Sequence, residues 1–344
     1  MNNNHLSDPT RRRFASGLAA LSVAPFLASC STATPSARPL RVGALFAGQV
    51  DDRGFMEAGW RGLERARTEL GVTTTYIDGI QPRKELLAAA LVKLAEAAPD
   101  LVVAHGGQNN EACVEVATRF PSVRFVVTQG AVTSANMASY DVLQEESAYL
   151  GGVLAALTTR TGVVGHMSGI RVRPGLKGRA AYAAGVRDTN PNVKLLTNFS
   201  GNQDDNALSR RIASAQIANG ADVIFTMLNA GRNGVTEACR EKGTRQIGNV
   251  VDWVQTDSRV FVGSAIADVG IGVFEAVRDL RQQSFPAGAI RKVGLANPQA
   301  VRLSLAADVS AEVRSRIARV SADISSGLIK MTETYEGPEF TTPA

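Results

Sequence analysis

Short apolar runs alternate with stretches of helical spacing along most of the chain, and this alternation constrains the fold more than any other feature. The run LRVGALF at residues 40–46 is almost unalternated, and after it Phe55, Leu63 and Leu70 recur at helical spacing. An unalternated apolar run is typical of a parallel strand covered on both faces, and an amphipathic stretch is typical of the helix that covers it. The pattern therefore predicts an α/β chain with parallel sheets.

The alternation runs through the chain twice. In the first half we expect strands at residues 72–77, 100–104, 123–128 and 138–143, with helices at 85–98, 111–120 and 145–159. In the second half we expect strands at 162–167, 193–199, 222–227 and 245–250, with helices at 180–188, 207–219 and 234–242. Two similar halves in series predict two similar lobes.

The remaining segments complete these lobes. We expect residues 40–160 plus 256–285 to form the first lobe, with a strand at 260–266 and a helix at 270–283. Residues 161–255 plus 286–331 are expected to form the second, ending with residues 291–305 and a helix at 311–328. Residues 332–344 lack periodicity, which indicates a flexible tail.

The first 30 residues have the features of an export address. TRRRF at residues 10–14 resembles a twin-arginine signal, and the apolar stretch at 15–29 is too short to span a membrane. LASC at residues 27–30 resembles a lipobox. We therefore expect residues 1–29 to be a signal peptide, Cys30 to carry membrane lipid, and 30–39 to be a flexible tether. This predicts a lipid-anchored protein of the cell envelope, facing the periplasm or the cell exterior.

Charge and cysteine content exclude several classes of protein. The net charge is +5, and because three arginines and one aspartate lie in the leader, the mature chain carries only +3. That charge is dispersed, so a nucleic-acid partner is not expected. The three cysteines, Cys30, Cys113 and Cys239, form no C-x-x-C pair or zinc spacing, so neither a metal nor a cofactor is expected. Cys113 and Cys239 fall on helices of different lobes and should stay unpaired.

Polar and aromatic side chains follow several predicted strands directly. Open α/β sheets bind ligands at the carboxyl ends of their strands. Asp52 and Phe55 follow the first strand, His105 and Gln108 follow the strand at 100–104, and Asn229 follows the strand at 222–227. The first loop lacks the spacing of a dinucleotide or phosphate-binding loop. Asp51 or Asp52 could equally cap the following helix, and the two roles are compatible. His166 lies at the end of another strand, with contact to ligand less favoured than for His105.

Ordered sequence blocks resemble a known family over nearly the whole mature chain. DRGF at 52–55 and WRGL at 60–63 are similar to the opening of the basic membrane protein (BMP) family of purine nucleoside receptor-like substrate-binding lipoproteins of ABC importers. Further matching blocks lie at residues 99–103, 120–125, 149–156, 190–193 and 219–225. The resemblance implies a type I periplasmic-binding-protein fold, with two Rossmann-like lobes joined by three crossings. It also implies an ABC permease as partner and no catalysis.

The resemblance implies ligand contacts at individual positions. Phe55 matches the aromatic residue that stacks on the purine, Asp52 matches the polar residue beside it, and Asp252 matches the acidic residue that holds the ribose hydroxyls. The chain departs from the family at Met56, where asparagine is expected, and at Ala267, where lysine is expected. The loop at residues 105–109 departs as well. The implied ligand is a small heterocycle such as a purine nucleoside or nucleobase.

The role of one basic run is open, and two other functions of the protein remain as alternatives. Arg171, Arg173, Lys177 and Arg179 either form a solvated surface or neutralise an anionic ligand. A nucleoside-processing enzyme is disfavoured, because Ser168 is not in a G-x-S-x-G motif and the chain has only three histidines. A receptor that signals to a membrane sensor instead of a permease would have the same fold and leader.

The leader generates the first testable prediction. Cys30→Ala should release the protein from membranes into the soluble fraction, because the acylated thiol is lost. Replacing Arg11 and Arg12 with lysine should instead hold the precursor in the cytoplasm. Membrane flotation and immunoblotting distinguish the two effects. Normal membrane attachment of the Cys30→Ala protein would contradict the lipoprotein assignment.

Overall fold

In the computed structural model, which describes residues 38–341, the chain forms twelve strands and nine α-helices. The strands are β1 (Arg41–Phe46), β2 (Thr73–Ile77), β3 (Leu101–His105), β4 (Arg124–Thr128), β5 (Met137–Val142), β6 (Val163–Ser168), β7 (Lys194–Phe199), β8 (Val223–Met227), β9 (Arg245–Val250), β10 (Phe261–Ala267), β11 (Ile290–Val293) and β12 (Val301–Leu305). The helices are α1 (Phe55–Leu70), α2 (Lys84–Glu96), α3 (Asn110–Arg119), α4 (Gln144–Thr158), α5 (Arg173–Thr189), α6 (Asn206–Ala218), α7 (Arg232–Lys242), α8 (Gly270–Arg281) and α9 (Ala311–Ser325). The predicted signal peptide and Cys30 lie outside the described residues.

The strands form two six-stranded sheets. The first has the order β11-β5-β4-β3-β1-β2 and is parallel throughout. The second has the order β12-β10-β9-β8-β6-β7, and only β12 runs antiparallel to its neighbour. Each sheet is the centre of one lobe. Strand β3 is buried along its whole length, as expected for an unalternated strand covered on both faces.

The chain crosses between the lobes three times, which confirms the expected number. The crossings lie between β5 and α4, between β10 and α8, and between β11 and β12. At the second crossing α8 packs closely on α1 of the first lobe, where a Cβ built on Gly62 would lie 2.2 Å from the carbonyl oxygen of Gly270. Two glycines thus allow these helices to meet backbone to backbone.

Several late segments lie in the other lobe from the one expected. Strand β10 was expected in the first lobe, but it pairs with β9 and β12 in the second sheet. Residues 291–305 were expected together in the second lobe, but β11 pairs with β5 in the first sheet and only β12 joins the second. Helix α4 was expected in the first lobe and packs instead on α5, β10 and β12. Sheet pairing over long sequence separations, not local periodicity, decides these placements.

The described part of the tail is docked, which differs from the expected flexible segment. Residues 332–341 contain no helix or strand, but the amide of Phe340 donates to the carbonyl of Thr197 at 2.7 Å. The carboxylate of Glu339 pairs with Arg171 and Arg179, each at 2.6 Å. These contacts fasten the tail to the second lobe.

Two other observations concern cysteines and membranes. Cys113 on α3 and Cys239 on α7 are both buried and unpaired, which confirms the expectation for them. Within residues 38–341, no helix combines the length and the apolar character that a membrane crossing requires.

Helices α4 and α5 meet through glycines, and this contact generates a stability prediction. A Cβ built on Gly152 would lie 2.2 Å from the carbonyl oxygen of Tyr182, whereas one on Gly151 would meet nothing closer than 3.7 Å. Gly152→Ala should therefore reduce the free energy of unfolding by about 1–3 kcal/mol or more, because backbone must move to make room.

Gly151→Ala is the matched control, since it adds the same methyl group one position earlier in the same helix. Its Cβ finds ordinary contact distances, and alanine favours helix over glycine by roughly 1 kcal/mol. Urea unfolding of the two variants should therefore give shifts of opposite sign. Equal stabilities for the two would show that α4 and α5 do not approach so closely.

Candidate functional site

Two cavities lie between the lobes. The first, here called the interlobe cavity, has a volume of about 450 Å³ and is lined by residues at or just after the carboxyl ends of β1, β2 and β3 of the first sheet and β6, β7, β8 and β9 of the second. The second, the α1 groove, has a volume of about 600 Å³ and runs along α1 beside residues 250–256. The interlobe cavity is the better candidate for ligand binding, because strands of both sheets end there and Phe55 faces it.

Phe55 provides the aromatic surface of the interlobe cavity. It is the first residue of α1 and is only partly buried. Its ring lies on the buried imidazole of His105, with 4.4 Å between ring centroids and 33° between the planes. One ring face is thus supported by protein while the residue lines the cavity. Such a rigid, supported ring suits stacking on a flat ligand.

His105 supports Phe55 and is not itself part of the cavity lining. The carbonyl of Phe55 can only accept, so His105 Nε2 carries the proton and donates to it at 2.9 Å. His105 Nδ1 then accepts from the hydroxyl of Thr128 at 2.7 Å. Burial lowers the pKa of His105 to about 4. Both nitrogens are engaged within the protein, so His105 positions the aromatic residue rather than reaching the cavity.

Gly59 makes this arrangement possible. A Cβ at that position would lie 2.5 Å from the imidazole ring of His105. A side chain there would push the ring away from Phe55. Glycine at this position of α1 therefore leaves the space that the His105 ring occupies.

Asp52 anchors the beginning of α1. Its carboxylate accepts hydrogen bonds from the amides of Gly54 at 2.8 Å, Met56 at 3.0 Å and Glu57 at 3.0 Å. Burial raises the pKa of Asp52, although these three bonds oppose the effect. The capping role considered for this residue is observed, and Asp52 does not line the interlobe cavity. It orients the helix turn that carries Phe55.

Gln108 and Asn229 face the cavity from opposite lobes. Both residues line it and both are partly exposed. The rims around them are in contact, since a Cβ built on Gly54 would lie 3.6 Å from the Cα of Asn229, and one on Gly107 would lie 3.6 Å from Pro174. The structure therefore represents a closed arrangement of the two rims.

Asp252 lies away from the interlobe cavity, in contrast to the placement that the family resemblance implied. Its carboxylate accepts from the hydroxyl of Ser304 at 2.7 Å and from the amide of Val254 at 3.2 Å, and it lines the α1 groove. Val250 has a φ of 67°, a left-handed conformation that is unusual for a β-branched residue. This turn at the end of β9 redirects the chain, so that Asn249 reaches the cavity while Asp252 does not.

Of the basic run only Arg171 is exposed, and its four cations are all paired with carboxylates. Lys177 and Arg179 are buried, at 3% and 5% exposure. Arg173 pairs with Asp141 of β5 at 2.9 Å, and Lys177 pairs with Asp141 at 3.2 Å and with Glu145. Because Asp141 belongs to the first lobe, this cluster joins α5 to the first sheet. The charges of the run are used within the protein.

His166 forms a polar chain behind the cavity. Its Nδ1 lies 2.8 Å from the hydroxyl of Thr197, and its Nε2 lies 3.1 Å from that of Ser168, which lines the interlobe cavity. Burial, and to a smaller extent the charge of Arg179, lowers the pKa of His166 to about 3. A threonine stands where a catalytic triad has a carboxylate, so this contact lacks the acid that orients a catalytic histidine.

The described residues offer no group of three His, Cys, Asp or Glu side chains that could hold a metal ion.

Sequence reasoning missed several residues of the interlobe cavity. They include Gln144, Ser168, Asp204 and Asn249. Asn249 and Ser168 follow or end strands and could have been found by that rule. Gln144 begins a helix after a crossing, and no local pattern marks it.

Comparisons with known proteins agree with this architecture. The sequence model of the family described as Bmp, ABC transporter substrate-binding protein PnrA-like, matches residues 40–334. The chain is 26% identical over 308 residues to the CD4+ T-cell-stimulating antigen of Listeria monocytogenes, covering 83% of this chain and 86% of that protein. It is 25% identical over 317 residues to the ABC transporter nucleoside-binding protein BmpA of Lactococcus lactis, covering 81% and 85%.

A solved structure shows the same fold. An ABC transporter solute-binding protein from Aeropyrum pernix matches with a TM-score of 0.77 at 22% identity, covering 87% of this chain and 94% of that one. The two sheets joined by three crossings are thus a type I periplasmic-binding-protein fold.

The two buried imidazoles generate a prediction about pH. An unfolded histidine has a pKa near 6.5, so between about pH 4 and 6.5 the unfolded chain binds protons that the folded chain does not. Stability should therefore be full above pH 6.5 and fall as the pH drops. From pH 7.5 to 5, the free energy of unfolding should decrease by about 2 kcal/mol per imidazole.

Proton NMR of a protein that begins at Ser31 provides the measurement. The ring resonances of His105 and His166 should not titrate between pH 5 and 8 in the folded protein. In urea, both should titrate near the ordinary histidine value. A folded-state resonance with a midpoint near pH 6.5 would mean that the ring is solvated and does not support Phe55.

Proposed function

Since the chain belongs to the Bmp family of PnrA-like ABC transporter substrate-binding proteins, we propose that its two lobes close on a small heterocycle, such as a purine nucleoside or nucleobase, and deliver it to an ABC permease. The family and the fold are those of substrate-binding proteins, not of enzymes. The Lactococcus relative is named as nucleoside-binding, which supports the ligand class proposed for this chain.

One observation carries the proposal: the Phe55 ring lies at the interlobe cavity with its back on the buried His105 ring. A stacking surface held this firmly suits a flat ring, whose faces are apolar. Gln108 from one lobe and Asn229 from the other supply amide groups at the same cavity. A flat ligand with a polar edge would use both kinds of contact.

The proposed mechanism is a hinge equilibrium. The ligand stabilises the closed form because it contacts residues of both lobes at once, and only such a difference in contacts shifts the equilibrium. Contact between the rims at Gly54 and Asn229 supports the view that the lobes close over the cavity. In this proposal Phe55, Gln108 and Asn229 contact the ligand, while Asp52 and His105 hold Phe55 in place.

The proposal includes location. Basic membrane proteins and ABC solute-binding proteins are extracellular or membrane-associated, and a lipid on Cys30 would hold this chain at the cell envelope beside its permease. A tether of about ten residues, rich in Ser, Thr, Pro and Ala, would leave the lobes free to move against the membrane.

Phe55→Ala tests the binding mode. Stacking contributes about 0.5–1.5 kcal/mol beyond the buried area, so the variant should bind both inosine and hypoxanthine at least about threefold to tenfold more weakly. The loss should be similar for nucleoside and base, because the ring is common to both. Isothermal titration calorimetry with the two ligands measures it.

Two variants serve as controls in the same experiment. Tyr76→Ala removes a half-exposed aromatic ring from the first lobe without touching the cavity, and it should leave both affinities unchanged. Asp252→Ala should also leave both unchanged, because its carboxylate lies in the α1 groove. Weaker nucleoside binding by Asp252→Ala alone would instead support the ribose-binding role that the family resemblance implies. Unchanged affinities for Phe55→Ala would contradict the proposed site.

A further inference from the structure

Residues 168–175, here called the cavity wall, join the end of β6 to the first turn of α5. Five of them line the interlobe cavity, namely Ser168, Ile170, Val172, Pro174 and Gly175. Arg171 and Arg173 lie between these residues in the sequence and do not line the cavity. They pair instead with carboxylates of the tail, residues 332–341. One short segment therefore contacts the cavity with some side chains and the tail with others.

Glu339 makes the closest contacts between the tail and the cavity wall. Its two carboxylate oxygens each accept from Nη2 of Arg171 at 2.6 Å, and one of them also accepts from Nη1 of Arg179 at 2.6 Å. Both guanidinium groups lie over the ring of Phe199, at 4.6 and 4.7 Å from its centroid. Phe199 ends β7, the strand that pairs with β6. One carboxylate, two cations and one ring thus form a single network beside the wall.

The burial of Arg179 distinguishes this network from an ordinary surface ion pair. Ion pairs between exposed side chains usually stabilise a protein little. Arg179, however, is only 5% exposed, and within residues 38–341 Glu339 supplies the one carboxylate that lies within 4 Å of it. A buried cation that loses its counter-charge is costly. Arg179 therefore requires the tail carboxylate, and the same carboxylate binds Arg171 of the wall.

Further contacts hold the tail at both of its ends. The amide of Phe340 donates to the carbonyl of Thr197 at 2.7 Å, which attaches the tail to the edge strand β7. The Phe340 side chain packs against the core of the second lobe. Near the other end, Glu333 lies 3.7 Å from Arg173, whose second partner is Asp141 of the first lobe at 2.9 Å. The tail therefore lies along the wall in a defined position.

We propose that the tail is a strap that holds the cavity wall in its binding conformation, and that Glu339 is a positioning residue for the ligand site. Neither Glu339 nor any other described tail residue lines the interlobe cavity. Glu339 acts through Arg171, which lies between the lining residues Ile170 and Val172. A wall that is ordered before binding loses less conformational entropy when the ligand arrives, so the strap raises the affinity. This inference rests on the proposed function for the identity of the ligand.

Hydrogen exchange followed by mass spectrometry measures the wall directly, in the full mature protein without ligand. Glu339→Gln keeps the shape of the side chain but removes its charge. The amides of residues 168–176 should therefore exchange about threefold faster or more than in the wild-type protein. The amides of β3, in the other lobe, should exchange at unchanged rates. Calorimetry with inosine should show roughly threefold to tenfold weaker binding by the same variant.

Three controls separate the charge of Glu339 from other effects. Glu336→Gln makes the same chemical change at an exposed tail residue that is not paired with the basic run, and it should leave both measurements unchanged. Glu339→Asp keeps the charge and should retain most of the wild-type affinity. Sodium chloride at about 1 M screens charges, so it should speed exchange of the wall in the wild-type protein and have little effect in Glu339→Gln.

Each possible outcome decides part of the inference. Equal exchange of the wall in the wild-type protein and Glu339→Gln would show that the tail does not hold it. Faster exchange in β3 as well would overturn the inference, because Glu339 would then stabilise the whole protein rather than the wall. Faster exchange of the wall with unchanged inosine affinity would refute the role in binding while the proposed function stands. If the wild-type protein binds neither inosine nor hypoxanthine, the proposed function is wrong, and the exchange rates still decide whether the tail holds the wall.

Discussion

The hydrogen bond from the His105 ring to the carbonyl of Phe55 determines where the binding surface lies. It joins the end of β3 to the beginning of α1, and it fixes the imidazole directly behind the aromatic ring. Three features converge on it: the Asp52 carboxylate holds the helix turn, the Thr128 hydroxyl donates to the other ring nitrogen, and Gly59 leaves room for the ring. Each is a local requirement. Together they make a rigid platform from an otherwise ordinary loop.

Sequence patterns predicted the positions of the helices and strands well, but not which strands pair with one another in each sheet. The expected strand at 245–250 coincides with β9, and that at 123–128 differs from β4 by one residue, because periodicity and turn residues are local signals. The assignment of β10 and β11 to the wrong lobes has a different cause. A strand joins whichever sheet edge the crossing presents to it, and no short window of sequence contains that information.

The residues of the candidate site also divide into those that a sequence rule located and those that it did not. The rule that ligands bind at strand carboxyl ends brought Phe55, Gln108 and Asn229 to one cavity. It could not place Asp252, because the left-handed turn at Val250 is a conformation that its residue type disfavours. Gln144 escaped notice for another reason. It begins α4 directly after the first crossing, and no local sequence pattern marks it as a cavity residue.

The three crossings also determine how the lobes are connected as a polymer. A cut at any one crossing would leave the lobes linked by two further segments, so a single proteolytic break would not separate them. Rotation of one lobe must be shared by backbone torsions at Leu143, near Val269 and within residues 294–300. Because torsions at three separate points must change together, opening of the lobes is more restricted than it would be across a single linker. The covalent path of the chain thus guides the motion.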